Sequence, residues 1–363
     1  MGAVHDYEED GEGEGGEQHR RGASGAKKSP LTAEEAGEAK WASSILPPQE
    51  PVEVLGPGIL GNMLSQEATE RAFETGAAAV RTDRDLVVVA GPDASSYLHG
   101  QLSQNTERMT VGDSAWSLLL SPQGRIDAWL RVSKVDDEIF WLDVDSGFGE
   151  PAKRRLEMFL LRTNCTIDLV PTQMVAVRGP AAGSVEDARV KLGGSGNGTF
   201  VASVPWPGVL GFDVIGEETF PPSDVEEGSP AALETLRIRL GIPRMGTELG
   251  EKTIPAEAGI VARSADFGKG CYVGQELVAR VDSRGNNTPR SVLPVSITGE
   301  DVPPQGTELI LDGDPIGVVT SAALSNDGVV ALASVKRGFS PPFTASVEIN
   351  GEPRSAEVSA ATW

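Results

Sequence analysis

From about residue 60 onward the chain alternates short apolar runs with Gly/Pro turns. Gln66 to Ala79 carries helical spacing, and the run Leu86-Val-Val-Val-Ala90 ends at Gly91-Pro92, which predicts a strand closed by a turn. Asp93 to Leu102 reads as a helix. Strand-like runs follow at 115–120, 126–133 and 139–144, separated by Ser121-Pro-Gln-Gly124 and Asp136-Asp137. Pro151 to Leu161 has the pattern of a helix with proline in its first turn, and 165–170 that of a strand.

An echo of this order begins at Met174-Val-Ala-Val-Arg178, where Gly179-Pro180 repeats the strand–turn–helix arrangement of Val87 to Pro92. Strand-like runs at 199–204 and 211–215 and a helix at 231–240 follow it. Beyond 288 no helical period remains. Short alternating runs at 292–297, 308–311, 316–322, 329–335 and 345–349, punctuated by Gly or Pro, predict a small barrel or sandwich. The expected architecture is α+β: two related α+β halves, about 60–171 and 172–287, then an all-β barrel at 288–363. The turn density agrees, with 43 Gly and 25 Pro in 363 residues.

The first 55 residues form a different texture. Between Asp6 and Glu17, seven of twelve residues are acidic and most others are Gly, so there is little apolar surface to offset ordering entropy. A disordered acidic tail is expected, with at most a short helix near 32–41 behind the capping box Thr32-Ala-Glu-Glu35. Gly11, Gly13 and Gly16 match a dinucleotide-binding spacing but lack the flanking strand and helix that give it meaning.

Charge and composition then narrow the function classes. A net charge of -22 excludes broad phosphate neutralisation, so direct nucleic-acid binding is not expected. No apolar run approaches the ~20 residues of a membrane span. Two Cys and three His, with only His99 outside the tail, fit neither a structural zinc site nor a secreted disulfide framework. A cytoplasmic protein is expected.

The densest chemistry lies at Phe267-Gly-Lys-Gly-Cys-Tyr-Val-Gly-Gln-Glu-Leu-Val-Ala-Arg280. Cys271 follows Lys269 and precedes a helix-forming stretch from Gly274 to Arg280. Cations and a helix N-terminus both favour thiolate, the nucleophilic and metal-binding form. Over 263–290 the bases Arg263, Lys269, Arg280, Arg284 and Arg290 outnumber Asp266, Glu276 and Asp282, which suits an anionic ligand. The residues alone also allow a tight loop around a buried thiol, since free Cys is commonly a small hydrophobe. Cys165, in an apolar run, reads as a core thiol.

Lys269-Gly-Cys-Tyr-Val-Gly-Gln-Glu276 resembles the K-G-C-Y-x-G-Q-E signature of the YgfZ-type folate-binding proteins, which share the fold of the glycine-cleavage aminomethyltransferase, the T-protein. Supporting stretches are Gly91-Pro-Asp-Ala, Tyr97-Leu-His-Gly-Gln-Leu102, Leu119-Leu-Ser-Pro-Gln-Gly-Arg125, Gly241-Ile-Pro243, Ile254-Pro-Ala-Glu257 and Arg284-Gly285. The resemblance spans about residues 60–363. It implies a three-domain ring around a channel that binds tetrahydrofolate or a derivative; the basic segment at 263–290 suits polyglutamylated forms. It also implies iron–sulfur client or assembly proteins as partners and an indirect link to tRNA modification. Cys271 is the implied functional thiol, with Lys269, Gly270, Tyr272, Gly274, Gln275, Glu276, Arg280, Glu257 and Gln101 as the implied binding residues. The T-protein's catalytic carboxylates map near Asp127, but Ala128 and Trp129 stand where the pair is expected. Trp206-Pro-Gly-Val-Leu-Gly-Phe-Asp213 lacks the T-protein's glutamate. Amine transfer from a lipoyl arm is therefore not expected; a one-carbon transferase or demethylase using Asp127 as acid/base is the alternative, and a folate-free interaction module a third.

Overall fold

The computed structural model describes residues 63–191, 198–204, 206–283 and 287–361. The expected tail with its capping box and glycine motif, and Arg284-Gly285, lie outside the described residues. The helices are α1 (Gln66–Thr75), α2 (Ala94–Gln101), α3 (Gly149–Glu157), α4 (Val185–Lys191), α5 (Pro230–Arg239), α6 (Val261–Ser264) and α7 (Gln275–Ser283). Strands β1 (Ala78–Thr82), β2 (Arg84–Ala90), β3 (Ser114–Leu120), β4 (Ile126–Asp136), β5 (Ile139–Asp145) and β6 (Thr166–Val170) precede β7 (Gln173–Arg178), β8 (Thr199–Ser203), β9 (Gly211–Gly216) and β10 (Glu226–Glu227). The expected α+β class is what the chain adopts.

The first sheet runs β3-β4-β5-β2-β6 and the second β10-β1-β7-β9-β8. The helical spacing expected to run to Ala79 ends at Thr75 with Gly76 as its cap, and β1 begins at Ala78, pairing antiparallel with β7 from Ala78–Arg178 to Thr82–Met174. The second sheet thus takes a strand from before residue 171. The echo has a physical basis at its turns. Gly91 and Gly179 hold φ of 138° and 121°, and a Cβ there would lie 2.5 Å from the Asn164 carbonyl oxygen and 2.3 Å from that of Gly76.

The two sheets pack face to face. Leu86, Val88, Val135 and Trp141 of the first meet Met174, Phe200, Ala202 and Ile215 of the second. Alternate residues of β2, Val87 and Val89, point the other way into the helix-covered core with Leu98, Leu102 and Leu156. β2 is therefore buried on both faces, which explains its unbroken Val run.

Strands β11 (Arg290–Ile297), β12 (Glu308–Leu311), β13 (Asp314–Ser325), β14 (Gly328–Lys336), β15 (Phe343–Ile349) and β16 (Glu352–Val358) close a barrel in the order β11-β14-β13-β12-β15-β16. The sixth strand escapes the sequence pattern because Pro353 and charges occupy its outward positions. Ala356 and Val358 alone face the core.

Candidate functional site

The inter-sheet face changes character along its length. Where it leaves the apolar contact, the same alternating strand positions become Arg84, Trp129, Arg131, Asp143, Arg178 and Asp213. Between them opens a cavity of about 770 Å³, also lined by Trp116, Trp206, the α5 end and the 242–247 loop. That size falls within the ordinary range for small-molecule pockets, roughly 300–1,000 Å³.

Its floor is an alternating chain of buried charges. Arg84 donates to Asp143 at 2.6 Å and to Asp145 at 2.7 Å. Arg131, 1% exposed, donates to the other Asp143 oxygen at 2.8 Å and to Asp213 at 2.6 Å. Arg178 reaches the second Asp213 oxygen at 2.8 Å. Burial alone lowers the Arg131 pKa, but Asp143 and Asp213 more than offset it and hold the guanidinium charged. Burial likewise opposes ionisation of Asp213, and the two arginines overcome it, keeping the carboxyl below its ordinary value. Arg178 shares a single carboxylate and feels Arg131 and Arg84, so burial wins and its pKa falls.

Aromatic rings form the walls. Trp116 and Trp129 stack with centroids 4.3 Å apart and planes 20° apart. The Arg178 guanidinium lies 4.7 Å from the Trp206 ring centroid. At the rim, Arg81 and Arg244 are about half exposed.

None of the expected catalytic or binding residues lines this cavity, although Trp129, Trp206, Asp213, Ile242 and Pro243, from stretches compared with the family, do. Most of the expected residues gather instead around the 266–275 loop, which packs on the C-terminal end of α2. Lys269 is 8% exposed, and its ammonium donates to the carbonyls of His99 at 2.5 Å, Leu102 at 2.6 Å and Gln104 at 3.0 Å. Three carbonyls saturate its three donors. The expected ligand-binding lysine is thus a buried brace, and burial pulls its pKa down to about 8 against Asp266 and Glu107. Tyr272 is buried in the main core, and Val273 donates its N–H to the Gly100 carbonyl at 3.4 Å. Gln275, at the start of α7, accepts from the Tyr272 N–H at 3.4 Å.

Gly270 and Gly274 explain the loop's glycine content. A Cβ on Gly270 would stand 3.7 Å from His99 Nε2; one on Gly274, at φ 82°, would stand 2.7 Å from both Leu120 Cβ and the Ser121 carbonyl oxygen. Cys271 is exposed, as are Glu276 and Arg280 on α7. The expected placement of Cys271 just ahead of a helix is what the loop presents. Cys165 is partly buried, and burial pushes its thiol up to about 11.

Of the remaining expected residues, Glu257 and Asp127 have local structural partners. Glu257 accepts the Ile254 N–H at 3.2 Å and caps its own turn. Gln101 ends α2, with its side-chain oxygen buried and unpartnered. Asp127 accepts from Arg155 Nε at 2.8 Å. Burial raises its pKa, with Arg155 pulling the other way. It stands on the β4 face of Trp129 and Arg131, but outside the cavity lining.

A buried network ties the loop to the cavity wall. Trp129 Nε1 donates to Ser264 Oγ at 2.9 Å, and the Ser264 carbonyl accepts from Ser103 Oγ. Ser103 adjoins Leu102, whose carbonyl holds Lys269. The strand arginines and aspartates that build the cavity were legible only as polar positions in strands, because their partners lie in another sheet.

The arrangement has the fold of an aminomethyltransferase. The glycine cleavage system aminomethyltransferase T from Bartonella henselae superposes with a TM-score of 0.70 at 21% identity, over 81% of this chain and 88% of that one. The tRNA-modifying protein YgfZ of Klebsiella pneumoniae is 27% identical over 288 residues, 72% of this chain and 85% of that protein. A mitochondrial iron-sulfur cluster assembly factor IBA57 homolog of Pyricularia oryzae is 28% identical over 265 residues, 71% of this chain and 65% of that protein. No family model matches the chain. The chain is thus similar in sequence to YgfZ and to IBA57 homologs and shares the aminomethyltransferase fold.

Proposed function

We propose that this protein is a folate-binding accessory factor that supports assembly or repair of iron–sulfur enzymes in the cytoplasm, with tRNA modification affected through such enzymes. The observation that carries the reading is the pairing of a cavity with an exposed-thiol loop on one buried network. The cavity suits a flat, polar heteroaromatic ring: aromatic walls that include the partly exposed Trp206, a buried donor at Arg178, and rim cations Arg81 and Arg244 for a glutamate tail. Tetrahydrofolate bound there would supply a one-carbon carrier. The chain's own residues bind and orient it and exclude water from its ring.

The loop supplies one exposed thiol. Among the described residues, no group of three or more Cys, His, Asp or Glu could hold a metal ion. Cys271 therefore acts on a cluster only together with a client or assembly protein that brings the other ligands. One-carbon transfer is disfavoured because Asp127 is bound to Arg155 and stands off the cavity lining.

Titration with tetrahydrofolate by calorimetry tests the cavity, and deletion followed by assay of several iron–sulfur enzymes tests the role. Cys271→Ser should bind folate normally yet fail to restore those activities in the deletion strain. At pH 7 a limiting thiol reagent should label exposed Cys271 before Cys165, whose raised pKa leaves little thiolate. Full complementation by Cys271→Ser, or prior labelling of Cys165, defeats the reading of the loop.

A further inference from the structure

Arg178 is the anomaly of the cavity floor. It is 2% exposed. Its Nη1 donates to the carbonyls of Val177 and Phe212, each at 3.0 Å, and its Nη2 pairs with Asp213. Its Nε–H is buried and has no partner. A guanidinium has donors and no acceptors, and a buried donor left unpaired is costly. The group that would satisfy Nε must be an acceptor. Arg84 and Arg131 differ, because their donors are committed to Asp143, Asp145, Asp213 and neighbouring carbonyls.

What covers Arg178 is also informative. Trp206 lies over the guanidinium at 4.7 Å and is itself only partly buried. It leads into the turn at Gly208, where φ is 69°. A flat ring already rests on this cation, supplied by the protein and lacking any acceptor, since an indole offers a donor alone.

We propose that Arg178 is the specificity-determining donor of the cavity, selecting a ring that presents a carbonyl oxygen over one that presents an amino group, with Trp206 covering it until such a ring arrives. The inference rests on the folate reading and sharpens it to one edge of the pterin. A 4-oxo group gives Nε its acceptor. A 4-amino group sets donor against donor. Asp213 Oδ2 accepts from Arg131, while Oδ1 faces Arg178 Nη2 at 2.8 Å as an ion pair without a hydrogen bond, so any acceptance of an amino group by Oδ1 would be at the expense of that ion pair and would leave Nε unmet.

Folic acid and aminopterin differ at the 4-position alone, so their affinities for the whole protein, read by calorimetry, isolate the effect. The wild type should bind folic acid at least about tenfold more tightly, and binding should change tryptophan fluorescence as Trp206 leaves the guanidinium. In Arg178→Met the ratio should collapse toward one; Arg178→Lys, which keeps the charge but not the planar fork, should fall between. Equal affinities in the wild type, or undiminished discrimination in either variant, overturns the assignment even if the methionine variant folds poorly. Absence of any binding by folic acid and 5-formyltetrahydrofolate would remove the folate reading and this inference with it, an outcome distinct from binding without discrimination.

Discussion

The inter-sheet cavity and the Cys271 loop are built by opposite means. The cavity takes Arg131 from β4, Asp143 from β5, Arg178 from β7 and Asp213 from β9, and no two of these are close in sequence except across one hairpin. The loop takes Lys269 to Gln275 in one stretch and anchors it to another continuous stretch, 99–104. One region stores charge in a low-dielectric interior, where each ion depends on the next. The other spends its single cation on backbone carbonyls and leaves its thiol in solvent. The cavity and the exposed thiol are thereby separated in space, and the Trp129–Ser264–Ser103 contacts join them.

The sharpest way to break the comparison is at its most interdependent ion. Arg131→Met leaves Asp143 and Asp213 short of their shared partner inside the protein. Removing one member of a buried ion pair typically costs about 3–5 kcal/mol, so urea unfolding should show a loss of that order, together with loss of folate binding. A loss below about 1 kcal/mol would mean that water or Arg84 and Arg178 absorb the change, and the floor is not one coupled unit.

This contrast also decides what could be read from the chain. The 267–280 stretch was legible because its residues are consecutive in the chain, and the class followed from strand and turn periodicity. The strand Val87 to Ala90 and the Gly-Pro turns were legible for the same local reason. The cavity was not. Arg131 and Asp213 sit in strands at positions that read equally well as solvent-facing, and only the packing of one sheet on the other buries them. Lys269 shows the converse limit: its neighbour Cys271 suggested a thiolate partner, but side-chain direction sent it to the α2 carbonyls. β1 and β16 were missed because five residues, or alternate charges and a proline, carry too little pattern.

Lys269→Met should give the next largest effect. It strips the donor from the His99, Leu102 and Gln104 carbonyls at the end of α2. Hydrogen bonds to a charged group contribute about 1.5–3 kcal/mol, so a loss of around 2 kcal/mol is expected. Support of iron–sulfur enzymes should fall with it, because the loop carrying Cys271 loses its brace, while folic acid affinity stays within about twofold. A variant that loses folate binding but keeps its stability would show that the lysine serves the cavity after all.

The smallest effect is expected at Asp127, the residue that a transferase reading needs most. Its ion pair with Arg155 is only partly buried, with side-chain exposures of 24% and 10%, and such pairs contribute about 0–1 kcal/mol. Burial raises its pKa above the ordinary carboxyl value despite Arg155. A folded-state pKa above the unfolded one means that the group's contribution to stability is fully present below about pH 4. It is lost as pH rises through the folded value, so at neutral pH the ionised form is a slight burden. Asp127→Asn should therefore unfold within about 1 kcal/mol of wild type at pH 7. It should also flatten the acid side of the stability profile, bind folic acid normally and complement the deletion strain. If the variant instead abolished function while folding and binding folate, Asp127 would be acting on a bound one-carbon group, and the protein would be an enzyme of the transferase or demethylase kind.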